Sequence, residues 1–249
     1  MENIKLNRVP HIIFLYWLIK IASTTLGETG ADMFSMTFAF GYGETIVIFL
    51  ILFLLLLIVK LMIKKYNPAA YWSVFTASAI LGTAISDFID RTLGLGYTTG
   101  SLFLIILLLL ILFIWYKKEH SVSVEHITTT SAEIFYWTAF LIANTLGTAL
   151  GDFLADSLGF GFLFGSLLIS GFLLISLLLY LFTKTSRVLL FWIAFVLTRP
   201  FGATFGDFLT KPVEHGGLNL GTIGSSLFFA IVLFICLLRE NKVEKAKTV

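Results

Sequence analysis

The sequence is poor in charged residues and in cysteine. Asp, Glu, Lys and Arg together make up only 13% of its 249 residues, whereas a soluble globular domain has roughly 25%. Cys236 is the only cysteine, so no disulfide can form within the chain. These two absences exclude an ordinary soluble domain and a fold that is held together by disulfides.

The sequence also lacks the motifs of common enzymes. Its four histidines are scattered without metal-ligand spacing, and it contains no nucleophile elbow. Glycines are frequent, but no Lys–Ser/Thr pair follows them as it does in a phosphate-binding loop. We therefore predict that the protein is not an enzyme.

Long apolar runs dominate the chain instead. Hydrophobic residues make up 58% of it, and the mean hydropathy is +0.96. A helix needs roughly 20 mostly apolar residues to cross a bilayer, whereas strands of a membrane barrel need an alternation that runs such as 52–58 do not show. We predict an all-α polytopic membrane protein, with residues 1–249 in a single transmembrane domain. Its eight transmembrane helices are expected near 11–36, 42–65, 69–91, 96–117, 132–156, 161–183, 187–210 and 219–239.

A three-residue pattern recurs four times in these apolar runs. In each copy a Trp is followed ten residues later by a Gly and fifteen residues later by an Asp. Self-similarity at such a period indicates a repeat architecture. Since each copy contains two apolar stretches, all copies point the same way, and we predict four parallel two-helix repeats. The copies start at Trp17, Trp72, Trp137 and Trp192, and the repeats span 11–65, 66–119, 131–185 and 187–240.

The basic residues favour one side of the membrane. If both termini lie on the same side, the opposite loops receive only Arg91 and Lys211. Lys and Arg accumulate on the cytoplasmic side, so both termini should be cytoplasmic. The net charge of +2 then reflects topology, and we expect the lipid bilayer as a partner and no nucleic acid. The cytoplasmic basic residues are Lys5, Arg8, Lys60, Lys64, Lys65, Lys117, Lys118, Lys184, Arg187, Arg239, Lys242, Lys245 and Lys247.

The two helices of each repeat differ in composition, and we expect them to form a hairpin. The first is rich in small and polar residues, whereas the second is mostly Leu, Ile and Phe on every face. Small residues let helices approach closely in lipid, so the odd-numbered helices should lie inside and the even-numbered ones outside. The packing seam is predicted to consist of Gly27, Gly82, Gly147, Gly202, Ser86, Gly151 and Gly206. Trp17, Trp72, Trp137 and Trp192 are predicted to anchor the helices at the membrane interface.

The Asp residues of the pattern should meet at one level around a common centre, towards the outer face. Four carboxylates at the C-terminal ends of helices repel one another unless they are protonated or bridged by a cation. The alternative is that each Asp simply reaches water at the rim of the membrane. We predict that they are ion and metal ligands; they are Asp32, Asp87, Asp152 and Asp207.

Further polar residues lie on the same helix faces and extend the predicted ion path. Glu28 precedes Asp32 by four residues, and Asn144 and Arg199 precede the Asp of their own repeats by eight. We interpret Arg199 as a fixed counter-ion, with contact to an anionic substrate as the alternative. With Lys20 counted, the inner helices carry five acids and two bases, so the path should prefer cations.

The identity of the cation stays open at this point. Oxygen ligands without Cys or clustered His suit Mg²⁺, Mn²⁺ or Ca²⁺. A proton relay or a path for a monovalent cation fits the same residues. We expect a small inorganic cation as a partner and no cofactor other than such a bound ion.

On the four Trp residues and the Gly and Asp that follow each, the chain resembles a family of uncharacterised bacterial membrane proteins. Members are built from four tandem repeats, each with two transmembrane segments and a characteristic Trp, and are often labelled membrane-anchored proteins of unknown function. The resemblance covers nearly the whole chain. It implies a multi-pass topology in a bacterial inner membrane, and it implies no activity, substrate or binding residue.

Two functions of different classes follow from the residues. The first is a transporter or channel that moves a cation, with a divalent metal ion among the candidates, along a central path between the odd-numbered helices. Selective rings of Asp in known cation pathways favour this function. The second is a membrane scaffold or assembly protein that transports nothing and in which the Asp residues are structural.

Overall fold

The computed structural model describes residues 7–124 and 127–247, with 245–247 as backbone only. Within these ranges the chain forms eight α-helices and no β-strand, which confirms the all-α prediction. Lys5 and the side chains of Lys245 and Lys247 lie outside this description. The helices are α1 (Phe14–Asp32), α2 (Gly41–Met62), α3 (Pro68–Asp87), α4 (Gly96–Glu119), α5 (Thr130–Asp152), α6 (Gly161–Phe182), α7 (Arg187–Thr210) and α8 (Thr222–Lys247).

Among the described residues, seven of these helices, α2 to α8, are long and apolar enough to cross a membrane. The finding supports a membrane protein. Helix α1 is more polar, since it carries Lys20, Glu28 and Asp32 within 19 residues.

The odd-numbered helices form a closed ring. Helix α1 packs against α3, α3 against α5, α5 against α7, and α7 back against α1. Most of their residues are buried, whereas the even-numbered helices surround them and expose Leu, Ile and Phe on their outer faces. The exposed apolar surface fits lipid, because a soluble protein rarely leaves apolar patches of this extent uncovered.

Packing of the outer helices crosses the repeat boundaries. Helix α2 packs against α3, α4 against α5, α6 against α7, and α8 returns to pack against α1. The expected hairpin, in which the two helices of one repeat pack together, is therefore wrong. Each outer helix covers the inner helix of the next repeat, so the last repeat must complete the first.

Glycines of the packing seam allow the inner helices to approach one another. A Cβ atom built on Gly27 would lie 2.6 Å from Cβ of Ala79, and one built on Gly82 would lie 2.9 Å from Cβ of Asn144. The same contact joins Gly147 to Arg199 and Gly202 to Thr24. Any larger residue at these positions would push the backbones apart.

The chain reverses direction between each inner helix and the outer helix that follows it. A five-residue π-helical turn directly follows Asp32, Asp87 and Asp152, whereas α7 continues to Thr210 instead. The outer helices then begin at glycines with positive φ, which L side chains rarely adopt; they are Gly41, Gly96 and Gly161, and Gly221 lies directly before α8.

Candidate functional site

Buried residues of the four inner helices form layers that are four residues apart along the ring. Residues spaced by four stay near one face of a helix, so each inner helix contributes one residue to every layer, and all of these residues are buried. From the carboxylate end to the tryptophan end, the layers are Asp32, Asp87, Asp152 and Asp207; Glu28, Thr83, Thr148 and Ala203; Thr24, Ala79, Asn144 and Arg199; Lys20, Phe75, Phe140 and Phe195; and Tyr16, Tyr71, Tyr136 and Phe191.

The four Asp residues form the first layer, which we call the carboxylate ring, and they are bridged in pairs. Lys211 Nζ lies 2.6 Å from Asp32 Oδ2 and 3.2 Å from Asp207 Oδ1. Arg91 bridges the other pair, with Nε 3.3 Å from Asp87 Oδ1 and Nη2 3.2 Å from Asp152 Oδ2. Two basic side chains thus offset part of the repulsion among four buried carboxylates.

The basic side chains also connect the carboxylate ring to the surface. The side chain of Arg91 is 30% exposed and that of Lys211 is 19% exposed, whereas the carboxylates are almost fully buried. Burial opposes the charge of Lys211, but the carboxylates of Asp207 and Asp32 more than offset this effect and raise the pKa of Lys211 above its ordinary value. The ring is therefore connected to the surface of the molecule where its two bridging cations lie.

Arg199 occupies the centre of the third layer. Its guanidinium donates hydrogen bonds to the backbone carbonyl oxygens of Thr24 (2.6 Å), Ala79 (3.1 Å) and Asn144 (3.2 Å). These three residues are the equivalents of Arg199 in the other repeats. One side chain therefore binds all three other inner helices at the same level and fills the axis there.

Glu28 lies in the layer between Arg199 and the carboxylate ring. Its Oε2 atom is 3.6 Å from Nη2 of Arg199, and it accepts hydrogen bonds from the hydroxyls of Thr83 (3.2 Å) and Thr148 (3.3 Å). Both hydroxyls in turn accept hydrogen bonds from Arg199. The carboxylate and the guanidinium are thus joined directly and through two threonines, as the fixed counter-ion interpretation of Arg199 requires.

Lys20 lies one layer further towards the tryptophan end. It is fully buried, and its Nζ donates to the carbonyl oxygen of Phe195 at 2.9 Å and lies 3.2 Å from the centroid of the Phe195 ring. The equivalent positions hold Phe75, Phe140 and Phe195. Among the described residues no carboxylate lies within 4 Å of this ammonium, so its charge is balanced only by a carbonyl and aromatic faces.

The side chain of Asn144, a predicted member of the ion path, contacts the neighbouring inner helix α3. Its amide nitrogen donates to the hydroxyl of Ser78 at 3.0 Å, and only its backbone oxygen binds Arg199. Its carbonyl side-chain oxygen has no hydrogen-bond partner in the described part of the chain.

The tryptophans are buried and do not lie at a lipid interface. Trp72 and Trp137 are at most 1% exposed and Trp192 is 8% exposed, while Trp17 is partly buried against the same aromatic core. The Trp72 ring packs on Tyr16 and the Trp137 ring on Tyr71. The predicted role as interface anchors is wrong for these three, because their rings are buried against aromatic residues of neighbouring repeats.

Sequence reasoning missed the role of Arg91 and Lys211, which it assigned to outer loops. Both lie four residues after the Asp of their own repeat, in the second and fourth copies only. This alternating spacing was the available signal. With both included, the axis carries five acids and four bases, which corrects the expected excess of five acids over two.

In the part of the chain that the structure describes, no three His, Cys, Asp or Glu residues are grouped so that they could hold a metal ion. The carboxylate ring holds Arg91 and Lys211 between its members instead. This geometry gives no support to the predicted set of four Asp metal ligands.

A family model matches the chain four times in tandem, over residues 15–66, 70–121, 135–186 and 190–245. The four segments agree with the repeats that the Trp, Gly and Asp pattern predicts. No match was found among curated proteins or among solved structures. Because the matched segments cover most of the chain, it belongs to the family described as Repeat of Unknown Function (DUF347).

Proposed function

We propose that the protein moves a cation across a membrane through the centre of the inner ring. The observation that carries this proposal is that, among the described residues, four buried carboxylates share two basic side chains, at an end of the axis where those side chains are partly exposed. Ionisable groups within a membrane are costly and are characteristic of ion pathways. A cation that arrives at the ring replaces part of the charge that Arg91 and Lys211 supply.

Passage requires Arg199 to move, since its guanidinium fills the axis. Pro200 follows it directly inside α7, and a proline removes one backbone hydrogen bond and favours a bend. Helix α7 is therefore the element in which a change of conformation would open the axis. This makes a carrier a better description than an open channel.

The test is cation flux into proteoliposomes for Mn²⁺, Mg²⁺, Ca²⁺, K⁺ and H⁺. The variant Asp87→Asn/Asp152→Asn should lose flux while keeping the elution volume of the folded protein in detergent. Glu214→Gln is the matched control, because Glu214 is an exposed acid at the same end of the molecule and should transport like the wild type. Equal flux in both variants would contradict the proposal.

A scaffold protein that transports nothing is the second candidate. It is favoured by the filled axis, in which Arg199 ties four helices together. On this alternative, no cation moves in the wild type, and substitution of the Asp residues changes only the stability.

We further propose that all eight helices, including α1, span a bacterial inner membrane and that both termini are cytoplasmic. Helix α1 is an equal member of the closed ring, and its charged residues face the axis rather than lipid. After Cys236→Ser, single cysteines at Glu214 and at His120, both exposed, should react with an impermeant maleimide from opposite sides. Labelling of both from one side would contradict this topology.

A further inference from the structure

Helix α1 differs from the other inner helices because its axis residues are almost all able to gain or lose a proton. From the tryptophan end it presents Tyr16, Lys20, Thr24, Glu28 and Asp32, and each of them is at most 3% exposed. The equivalent positions on the other helices hold Phe, Ala, Asn, Thr and Arg besides Tyr and Asp. Only at Thr24 does α1 interrupt the series, and Arg199 fills that layer from α7.

We propose that the transported or coupling cation is the proton and that Lys20 carries it through the aromatic layer of the axis. This inference rests on the proposed function and names its substrate. Lys20 is the one group in its layer that can bind a proton, since the other three members are phenylalanines.

The surroundings of Lys20 disfavour a metal ion in this layer. An ion there would lie among three phenyl rings and beside two cationic side chains, Lys20 and Arg199, and the nearby carbonyl oxygen of Phe195 is already bound by Lys20. Mg²⁺ and Ca²⁺ require several oxygen ligands. A proton needs none of these, because a neutral amine holds it by its own lone pair.

The chemistry at Lys20 is a single proton transfer without a change of oxidation state. The amine accepts a proton from a hydronium ion that reaches it from one side, which forms an N–H bond and releases water, and the ammonium later transfers one N–H proton to a water molecule on the other side. Arg199 of α7 is the charged group that acts on Lys20 from the next layer. Tyr16, Tyr71, Tyr136 and Phe191 form the layer on its other side. Helix α8 contacts α1 at a different level, where Ser226 donates a hydrogen bond to Thr29.

Glu28 and Arg199 divide the path between Lys20 and the carboxylate ring. Arg199 cannot release its proton under ordinary conditions, so it blocks the direct transfer while it stays on the axis. The threonine hydroxyls that link Arg199 to Glu28 accept hydrogen bonds from Arg199 and donate hydrogen bonds to Glu28. Movement of Arg199 away from the axis would therefore connect the two halves of the path.

The experiment measures proton flux into proteoliposomes that contain a pH-sensitive dye, with the membrane potential set by K⁺ and valinomycin. Lys20→Phe completes the phenylalanine layer and should keep the fold. Lys20→Arg keeps the positive charge but cannot give up its proton. We expect wild-type protein to conduct protons and both variants to lose about 100-fold of this flux, in the range of a positioned acid–base group.

Other results would overturn the inference in distinguishable ways. Normal proton flux in Lys20→Phe would show that Lys20 carries no proton. Normal flux in Lys20→Arg together with loss in Lys20→Phe would assign Lys20 a fixed charge only. Flux of Mn²⁺, Mg²⁺, Ca²⁺ or K⁺ without proton flux would reject the proton and leave the proposed function standing. Absence of any flux in the wild type would reject both.

Discussion

The second and third repeats place neutral side chains in the middle of the axis, whereas the first and fourth place charges there. At three successive layers the middle repeats contribute Phe75 and Phe140, Ala79 and Asn144, and Thr83 and Thr148. The first and fourth repeats contribute Lys20 and Glu28 from α1 and Arg199 from α7. The shared residues build the ring, and the departures from the repeat give the axis its charge.

The comparison also separates two ends of the molecule. At the tryptophan end the layers are aromatic, and their rings pack between neighbouring repeats. At the carboxylate end the layers are charged and bridged by basic residues that are partly exposed. An aromatic end and a charged end are therefore built on the same four helices.

Removal of Arg199 should have the largest effect on stability. Arg199→Met leaves Glu28 buried without its cation and leaves three backbone carbonyl oxygens without the hydrogen bonds that Arg199 donates. We therefore expect the free energy of unfolding to fall by about 3–5 kcal/mol. The measurement is unfolding in mixed detergent and SDS. The double variant Glu28→Gln/Arg199→Met should lose less than the sum of the two single variants, and simple additivity would contradict the pairing.

Replacement of Lys20 should not lower the stability of the protein, in contrast to removal of Arg199. Lys20→Phe makes this layer of the first repeat match the others and removes a buried ammonium that has no carboxylate within 4 Å among the described residues. The free energy of unfolding should therefore stay the same or increase by about 1–4 kcal/mol. The same unfolding assay measures it. A loss of several kcal/mol would mean that Lys20 is required for folding.

Substitution of a glycine by alanine should destabilise the protein more where the glycine lies closer to a neighbouring helix. Gly82→Ala would place a Cβ 2.9 Å from Cβ of Asn144 and 3.0 Å from the backbone of Thr145, and we expect a loss of about 1–3 kcal/mol. Gly171 lies within outer helix α6, and a Cβ atom built on it would have no heavy atom of a neighbouring residue within 4 Å. Gly171→Ala should therefore raise the free energy of unfolding by about 0.5–1 kcal/mol. Equal effects would reject the close approach of α3 and α5.

The smallest predicted effect is a pH dependence at the carboxylate ring. The pKa of Lys211 is raised by Asp207 and Asp32 against the effect of burial, so its contribution to stability is complete below about pH 10.4, the ordinary lysine pKa, and falls as the pH rises further. The difference in melting temperature between wild type and Lys211→Met should therefore be constant from pH 7 to about 10 and shrink above it. A difference that grows above that pH would contradict the bridge.

Periodicity explains why much of the fold could be predicted. The Trp, Gly and Asp pattern predicts four repeats, and the observed helices agree closely with the apolar stretches, since runs of about 20 apolar residues have few alternatives in a membrane. The glycines likewise predict the close helix contacts of Gly27 and Gly82. The site was predicted less well, because Arg91 and Lys211 each bind a second Asp from another repeat, 61 and 179 positions away along the chain.

The sequence by itself determined the helical membrane class, the fourfold repeat and the common level of the four Asp residues, because each depends on spacing within one helix or one repeat. Only the tertiary structure decided that α8 closes onto α1, that Arg91 and Lys211 each bridge two repeats, and that Arg199 binds three backbone carbonyls. Carbonyl oxygens are present in every residue and leave no signature in a sequence. Closure of the ring brings together residues up to 197 positions apart, and packing alone selects which of them meet.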